Sequence, residues 1–476
     1  MFKKAGYRIY VPLIVAALLV IGLGAAFAQR LTTFAASSVT IDGATRYQSI
    51  DGFGISEAFG QAQAMRDVAS TSAQQQMLDL LFNPAAGAGF TILRNEIPSD
   101  TAHTIEPASP GSPAAPPHYV WSGDDWGQVW LSQQAQRYGI KRFYADAWGA
   151  PAFMKTNDSD TNGGTLCGAP GADTCTTGDW RQAYANYLVQ YIKDYQSAGI
   201  RLTEIGYVNE PNYAPSYSSM VMTPDQTEDF AKVLGPTLLH AGLSTRIACC
   251  DTEGWDSAPE YTSAITGDPV ASRYVSIISS HGYNAVPASP LTAANGKQVW
   301  ETEWSTFTDF DPAWDDGSDS SGFSWAQNIY TGLTAANLNA FFYWWGVTTS
   351  TDNESLIQLS GTTVTPAKRL WAFASYSRFV RPGARRIGAS SSDSNLEVTA
   401  YKNASGSLAI VILNTATSDI TASFSLRNVG MAHNGLALPY LTNAASSTAA
   451  QTPLPIRQGA FSATVPARSL VTYVIR

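Results

Sequence analysis

The chain has 476 residues, 45 % of them hydrophobic, with 13 Trp, 22 Tyr and 19 Phe; this excludes a disordered tail and supplies a substantial core. At roughly 150 residues per domain there is room for two or three average domains, or one large barrel with a companion. Only 14 % of the residues are charged and the net charge is −9, which argues against nucleic acid or an anionic membrane surface, because both need clustered Lys and Arg. A neutral polar ligand fits better.

In chain order, Lys3, Lys4 and Arg8 precede an apolar run from Ile9 to Ala28 that ends on the small residues Ala26 and Ala28. Residues 1–28 therefore read as a cleaved export signal. The run is also about long enough to remain as an anchor, and either reading places the body outside the cytosol. Cysteine usage agrees. Cys167 and Cys175 bracket the loop "GAPGAD", which a disulfide would staple. Cys249 and Cys250 are adjacent and are expected to be free buried thiols, a vicinal bridge being the alternative, with no spacing that suggests zinc.

Short apolar runs bounded by turn signals recur from Ile50 to Trp345. The expected strands are "SIDGFG" from Ser49, "FTILRNEI" from Phe90, "KRFYADAW" from Lys141 and "LTEIGYVNE" from Leu202. "TRIACCDT" from Thr245, "YVSIISSHGY" from Tyr274, "QVWETEW" from Gln298 and "NAFFYWW" from Asn339 bring the number to eight. Helical patterns lie between them at Ser72, Asp179 and Thr223, with Asp179 expected as an N-cap and Gly199 as a C-terminal stop. Eight strands alternating with helices predict an α/β fold, a (β/α)8 TIM barrel over residues 49–376 with its active site where the strands end. After Ser377 the segments "LEVTAYKN", "SLAIVILN", "ITASFSLRN" and "SLVTYVIR" alternate apolar and polar residues, which reads as antiparallel sheet. Residues 377–476, with 39–48 from the other end of the chain, are expected to form a side β-sandwich domain.

Glu210 ends the fourth expected strand in "EIGYVNEPNY", where Pro211 removes a backbone donor and blocks continuation. Glu303 ends the seventh, 93 positions on, or three barrel units of roughly 30 residues. The two carboxylates should share one rim, an arrangement that suits glycoside hydrolysis: one acid protonates the leaving oxygen while the other attacks the sugar or activates water. Asn209 is placed to bond a sugar hydroxyl. Arg94 would hold a nucleophile ionised, or else form a structural ion pair with Glu96 or another barrel carboxylate. Trp148, His281, Tyr283, Trp344 and Trp345 also fall at expected strand ends, where aromatic faces suit a pyranose ring.

The motifs "IDGFGISEAFGQA", "FYADAWGAPAFMKTN", "CGAPGADTCTTGDWRQAYANYLVQYIKDYQ", "GYVNEPNY", "IACCDTEGW" and "QVWETEWST" resemble glycoside hydrolase family 30, most closely its subfamily 7 of secreted xylan-degrading enzymes. The resemblance runs from about Thr40 to the C-terminus. It implies a barrel with a β-sandwich built from both chain ends, retention of configuration, Glu210 as acid/base and Glu303 as nucleophile. Glu301 points the same way as Glu303 by strand periodicity, but is expected one layer deeper, bonded to Arg94 or a barrel tyrosine. Gln61 stands where many relatives would have Arg, which weakens a requirement for acidic branches on the substrate, and Glu57 in the same loop is a plausible subsite residue.

The expected protein is a secreted, extracellular endo-β-1,4-xylanase or glucuronoxylanase. It would act on a polysaccharide as a monomer, with no metal or organic cofactor and no membrane partner after signal cleavage. The alternatives are a related hydrolase of β-1,6-galactan or β-1,6-glucan, a xylobiose-releasing exo-enzyme, a non-catalytic carbohydrate-binding protein, or a proton-transfer or metal-dependent barrel enzyme. The last is disfavoured by the scarcity of His, five in all, and of clustered ligands.

Overall fold

The computed structural model describes Met1 and residues 37–172, 175–430 and 434–476. The export segment lies outside them. Strand β1 (Ser37–Ser49) belongs to the C-terminal sheet. The barrel starts with β2 (Gly52–Ser56), β3 (Ile92–Ile97), β4 (Arg142–Ala147) and β5 (Glu204–Ile205). It continues through β6 (Arg246–Thr252), β7 (Val275–Ser280), β8 (Gln298–Glu301) and β9 (Ala340–Thr348). Each strand pairs parallel with the next, and β9 closes the ring by pairing with both β8 and β2. Strands in such a sheet are covered on both faces and read as continuous apolar runs; β9, "AFFYWWGVT", is buried along its whole length.

The barrel interior is filled by side chains. Ile92, Tyr144, Ala248, Ile277, Trp300, Ala340 and Phe342 form a buried cluster of their own. Large and small residues alternate to fill it: a Cβ at Gly54 would lie 2.4 Å from the Phe342 ring, so bulk on one strand is matched by none on its neighbour.

The outer helices are tied to strand ends by buried hydroxyls. Tyr184, Tyr187 and Tyr191 recur at helical spacing along Arg181–Ser197. Their hydroxyls donate to the carbonyls of Tyr207, Pro98 and Glu96 at 2.8–2.9 Å, giving buried phenols the partners they require. The N-cap of this helix is Trp180, not Asp179, whose carboxylate instead accepts from the Arg181 backbone at 3.0 Å and pairs with its side chain. Gly199 ends the helix region at φ 79°, as expected. The helix Pro224–His240 carries a full capping box from Thr223 and Gln226.

A hairpin of β10 (Ser355–Ser360) and β11 (Thr363–Pro366), not anticipated from sequence, extends the barrel sheet from β9. The second sheet contains β12 (Arg385–Ser391), β13 (Leu396–Lys402), β14 (Leu408–Asn414), β15 (Ile420–Arg427) and β16 (Gly435–Thr442). It is completed by β17 (Ala449–Ala450), β18 (Leu454–Ile456), β19 (Ala460–Val465) and β20 (Ser469–Ile475), with β1 between β12 and β15. β1 runs parallel to β15, an exception in a sheet expected to be antiparallel throughout. The outer β19 alternates exposed and buried residues, whereas β14 and β20 are buried on both faces. One face covers the sandwich core and the other packs toward the helix Lys368–Ser377, where Thr472 Oγ1 donates to the Ser375 carbonyl at 2.6 Å.

Candidate active site

Arg94, fully buried on β3, organises the C-terminal end of the barrel. One guanidinium nitrogen donates to Asp146 Oδ2 on β4 at 2.9 Å, to Asp251 Oδ2 on β6 at 3.1 Å and to Asn209 Oδ1 at 2.5 Å. The other donates to Glu303 Oε2. The expected alternative, a structural ion pair, is met by the barrel carboxylates Asp146 and Asp251 and not by Glu96, which accepts from the Phe59 backbone at 2.7 Å and whose carboxyl burial pushes up to about 8. A guanidinium keeps its charge and presents a rigid fork. It therefore fixes two strand carboxylates, Asp146 and Asp251, and Glu303 just beyond a third strand relative to one another.

Glu210 follows the two-residue β5 through a segment that stays paired with β4, Gly206 N donating to the Ala145 carbonyl and Asn209 N to that of Ala147, both at 2.8 Å. A Cβ at position 206 would lie 1.9 Å from Asp146 Oδ1, so only glycine permits this approach. Glu210 itself has φ 48°, although a residue before proline prefers extended backbone. Such a conformation costs about 1–3 kcal/mol and persists where its surroundings over-determine it. Here Glu210 N donates to the Asp251 carbonyl at 2.8 Å, Tyr213 N donates to the Glu210 carbonyl at 2.9 Å, and the side chain is held separately.

That side chain pairs with His281 Nδ1 at 3.0 Å through Oε1, while Oε2 accepts from the Tyr217 hydroxyl at 3.4 Å. Glu303, two residues beyond the end of β8, accepts from the Tyr283 hydroxyl at 2.8 Å through Oε1 and from Arg94 through Oε2. His281 Nε2 lies 3.8 Å from Glu303 Oε2. A carboxylate oxygen of Glu210, one of Glu303 and a His281 nitrogen all lie within 4.8 Å of one another.

The electrostatics follow from burial and neighbours. Burial works against the imidazolium of His281, but Glu303, Asp251 and Glu210 outweigh it and push its pKa up to about 10. Burial raises the Glu303 carboxyl, with His281 and Arg94 opposing and Glu210 adding to the rise. Asp146 is driven well above the carboxylate range by burial and by Asp251. Asp251 is held well below it: burial resists, but the His281 bond and the Arg94 charge prevail. Glu210, His281 and Glu303 also have the spacing of a metal site, the one such group among the described residues. The Arg94 guanidinium already bonded to Glu303 makes it a poor one, because a cation would meet a fixed positive charge where it needs free carboxylates.

Glu210 and Glu303 line a cleft of 550 Å³. Trp148, Trp344 and Trp345 form one wall: Trp344 stacks on Trp345 at 4.9 Å, and Trp148 lies 5.7 Å from Trp344 with the Arg94 guanidinium 4.6 Å from its ring. Tyr283 lies on the other side. Of the expected residues, Arg94 and His281 lie beneath the cleft and hold its carboxylates. Asn209, expected to bond a sugar hydroxyl, is buried with its side chain on Arg94 and does not line the cleft. Glu57 does not reach it: this buried carboxyl accepts from the Val347 backbone at 2.8 Å, and burial raises its pKa well above the usual range. Its place as a subsite residue is corrected to a prop for β9. Glu301 is deeper than Glu303, but it bonds neither Arg94 nor a tyrosine. Its two oxygens accept from the backbones of Glu303 and Phe342 at 2.9 and 3.0 Å.

The cleft also contains Phe59, Tyr213, Tyr217 and Phe307 on loops, and the acids Glu253 and Glu354, none singled out from sequence. Asp146 and Asp251 were not singled out either; the signal that would find them is a carboxylate inside an otherwise apolar strand. Cys167 and Cys175 are disulfide-bonded, with Cα atoms 5.6 Å apart. Cys249 and Cys250 are not free thiols but bridged to each other, immediately before Asp251. Both are buried, and Tyr207 Oη lies 2.9 Å from Cys249 Sγ.

Comparison with known proteins agrees with this geometry. The model of the glycosyl hydrolase family 30 TIM-barrel domain matches residues 122–309, and that of the family 30 beta sandwich domain matches residues 383–473. The catalytic domain of GH30 xylanase C from Talaromyces cellulolyticus is 44 % identical, covering 92 % of this chain and 100 % of that one with a TM-score of 0.86. Glucuronoxylanase XynC of Bacillus subtilis is 26 % identical over 93 % of this chain and 92 % of its own. Putative glucosylceramidase 1 of Caenorhabditis elegans is also 26 % identical, over 82 % and 78 %. With both domain models matched in order, and a barrel whose rim brings two glutamates together over a buried arginine, the chain belongs to glycoside hydrolase family 30.

Proposed function

We propose that the protein is a secreted, retaining endo-β-1,4-xylanase. The observation that carries the stereochemical reading is the approach of Glu210 and Glu303 oxygens to within 4.8 Å. Retaining enzymes hold their carboxyl groups about 5–5.5 Å apart, whereas inverting enzymes need about 6.5–9.5 Å to admit a water. Xylan as substrate is supported by the 44 % identical xylanase and by the aromatic walls of the cleft. No Lys or Arg is among the described cleft-lining residues, while Glu253 and Glu354 are, which favours a neutral chain and no requirement for glucuronic acid branches.

In the first step Glu303 attacks the anomeric carbon, a C–O bond to the enzyme forms, and the glycosidic C–O bond breaks. Glu210 gives its proton to the departing oxygen. In the second step Glu210 takes a proton from water, whose oxygen attacks the same carbon and releases Glu303 as carboxylate, so two inversions give retention. Arg94, His281 and Tyr283 stabilise the Glu303 anion against the cost of burial. His281 also holds Glu210, its Nδ1 lying 3.0 Å from Oε1. The test is product analysis by mass on glucuronoxylan, arabinoxylan and unbranched xylan in parallel. A ladder of xylo-oligosaccharides from all three is expected; release from glucuronoxylan alone, or none from any xylan, overturns the reading. Export is tested by the N-terminus of the mature protein, expected just after Ala28.

A further inference from the structure

The catalytic cleft does not end at Phe307. A second groove of 870 Å³ adjoins it and shares Glu253, Tyr283 and Phe307 with it. It runs between the segments that follow β7 and β8 and the helix Gly322–Thr334, over a polar surface that includes Ser305, Thr306, Gln327 and Asn328. Ser305 is buried at the floor of this groove beside Tyr283.

Phe307 marks the junction. It is 65 % exposed, unusual for so large an apolar side chain, and stacks on Tyr283 at 5.4 Å and 29°. Tyr283 in turn bonds the nucleophile candidate. Exposed aromatics standing singly need no explanation, but one shared by two grooves beside a catalytic carboxylate presents a flat apolar face where a sugar ring passes. The charged residues that line the second groove are Glu253 and Asp319, with no cation, so an uncharged chain suits it.

We infer that this groove is an extended binding site for the polysaccharide, with the chain crossing Phe307 as it leaves the catalytic cleft. The inference rests on the glycan-hydrolase reading above and deepens it: affinity for long substrates is built on one side of the catalytic pair. The probes are oligosaccharides of increasing length from the β-glycan that the wild type cleaves. Wild-type kcat/KM is expected to keep rising beyond the shortest cleavable oligomer. Asn328→Trp, which fills the groove from its helix, and Phe307→Ala should each lower the ratio of long-chain to short-chain kcat/KM by about tenfold, through KM. A flat length dependence in the wild type overturns the inference without any variant. An unchanged ratio in both variants, with wild-type thermal unfolding, also overturns it. If the wild type cleaves another β-glycan and leaves xylan intact, the xylanase reading fails, while the groove stands or falls by the same ratio measured on that glycan.

Discussion

Removing one hydroxyl, Tyr283→Phe, tests whether the Glu303 anion is the species that starts the reaction. Tyr283 Oη donates to Glu303 Oε1 at 2.8 Å, and a hydrogen bond to a charged group contributes about 1.5–3 kcal/mol. Tyr283 is only partly buried, so water replaces some of what is lost and the lower end of that range applies. At 1.36 kcal/mol per pKa unit, the Glu303 carboxyl should rise by about one unit. The sign is fixed: the lost donor stabilised the charged form, so the group protonates at higher pH and activity disappears sooner on acidification. Stacking on Phe307 survives in phenylalanine, which keeps the ring in place. The assay is kcat/KM against pH on an aryl xylobioside, with the acid limb expected about one unit higher than in the wild type. An acid limb that stays put, or moves to lower pH, would refute the assignment of Glu303 as an ionised nucleophile held by Tyr283.

Three further outcomes follow from the same geometry. Glu303→Gln and Glu210→Gln should each lower kcat on xylan by about 10³-fold or more with the fold intact by circular dichroism, whereas Glu301→Gln, which bonds only backbone, should stay within about tenfold of wild type. His281 titrates near 10 in the folded chain and near 6.5 when unfolded; its contribution to stability is complete below pH 6.5 and lost as pH rises toward 10. The gap in unfolding temperature between wild type and His281→Gln should therefore be widest near pH 6 and narrow by pH 10. Replacing Cys167 and Cys175 by Ser opens a loop closed over a separation of eight residues, at a cost of about 2–3 kcal/mol, read as faster cleavage by an added protease.

The barrel was legible because its strands carry the signal that parallel sheets require. All eight expected stretches overlap a strand, since segments buried on both faces are largely apolar. Even "LTEIGYVNE", which holds only two formal ladder residues, is marked by apolar residues ending on Asn-Glu-Pro. The second sheet was read less fully. β12 opens on two arginines, and β16 contains Pro439, so neither has the alternation that marks β19 in retrospect. The parallel pairing of β1 with β15 joins residues more than 350 positions apart, and no local pattern encodes it.

The meeting of Glu210 and Glu303 in one cleft was legible for a related reason: carboxylates at strand ends, spaced by barrel units, have few other places to go. Glu57 follows a strand end too, but it turns inward to the Val347 backbone, and sequence does not distinguish an acid that faces the cleft from one that caps a buried N–H. Phe59, Tyr213, Tyr217 and Phe307 lie on loops, where no periodicity assigns a side. The general expectation that adjacent cysteines stay free misread Cys249 and Cys250, which are bridged directly before one of the acids that holds Arg94.

The most direct measurement is to trap the covalent intermediate. A 2-deoxy-2-fluoro xylobiosyl donor with a good leaving group forms a glycosyl-enzyme quickly and hydrolyses it slowly, and peptide mass spectrometry then locates the label. The account requires one xylobiosyl group per chain, on the peptide containing Glu303 and specifically on that residue. Label on Glu301 or Glu210, or turnover with inverted product and no trapped species, would contradict it.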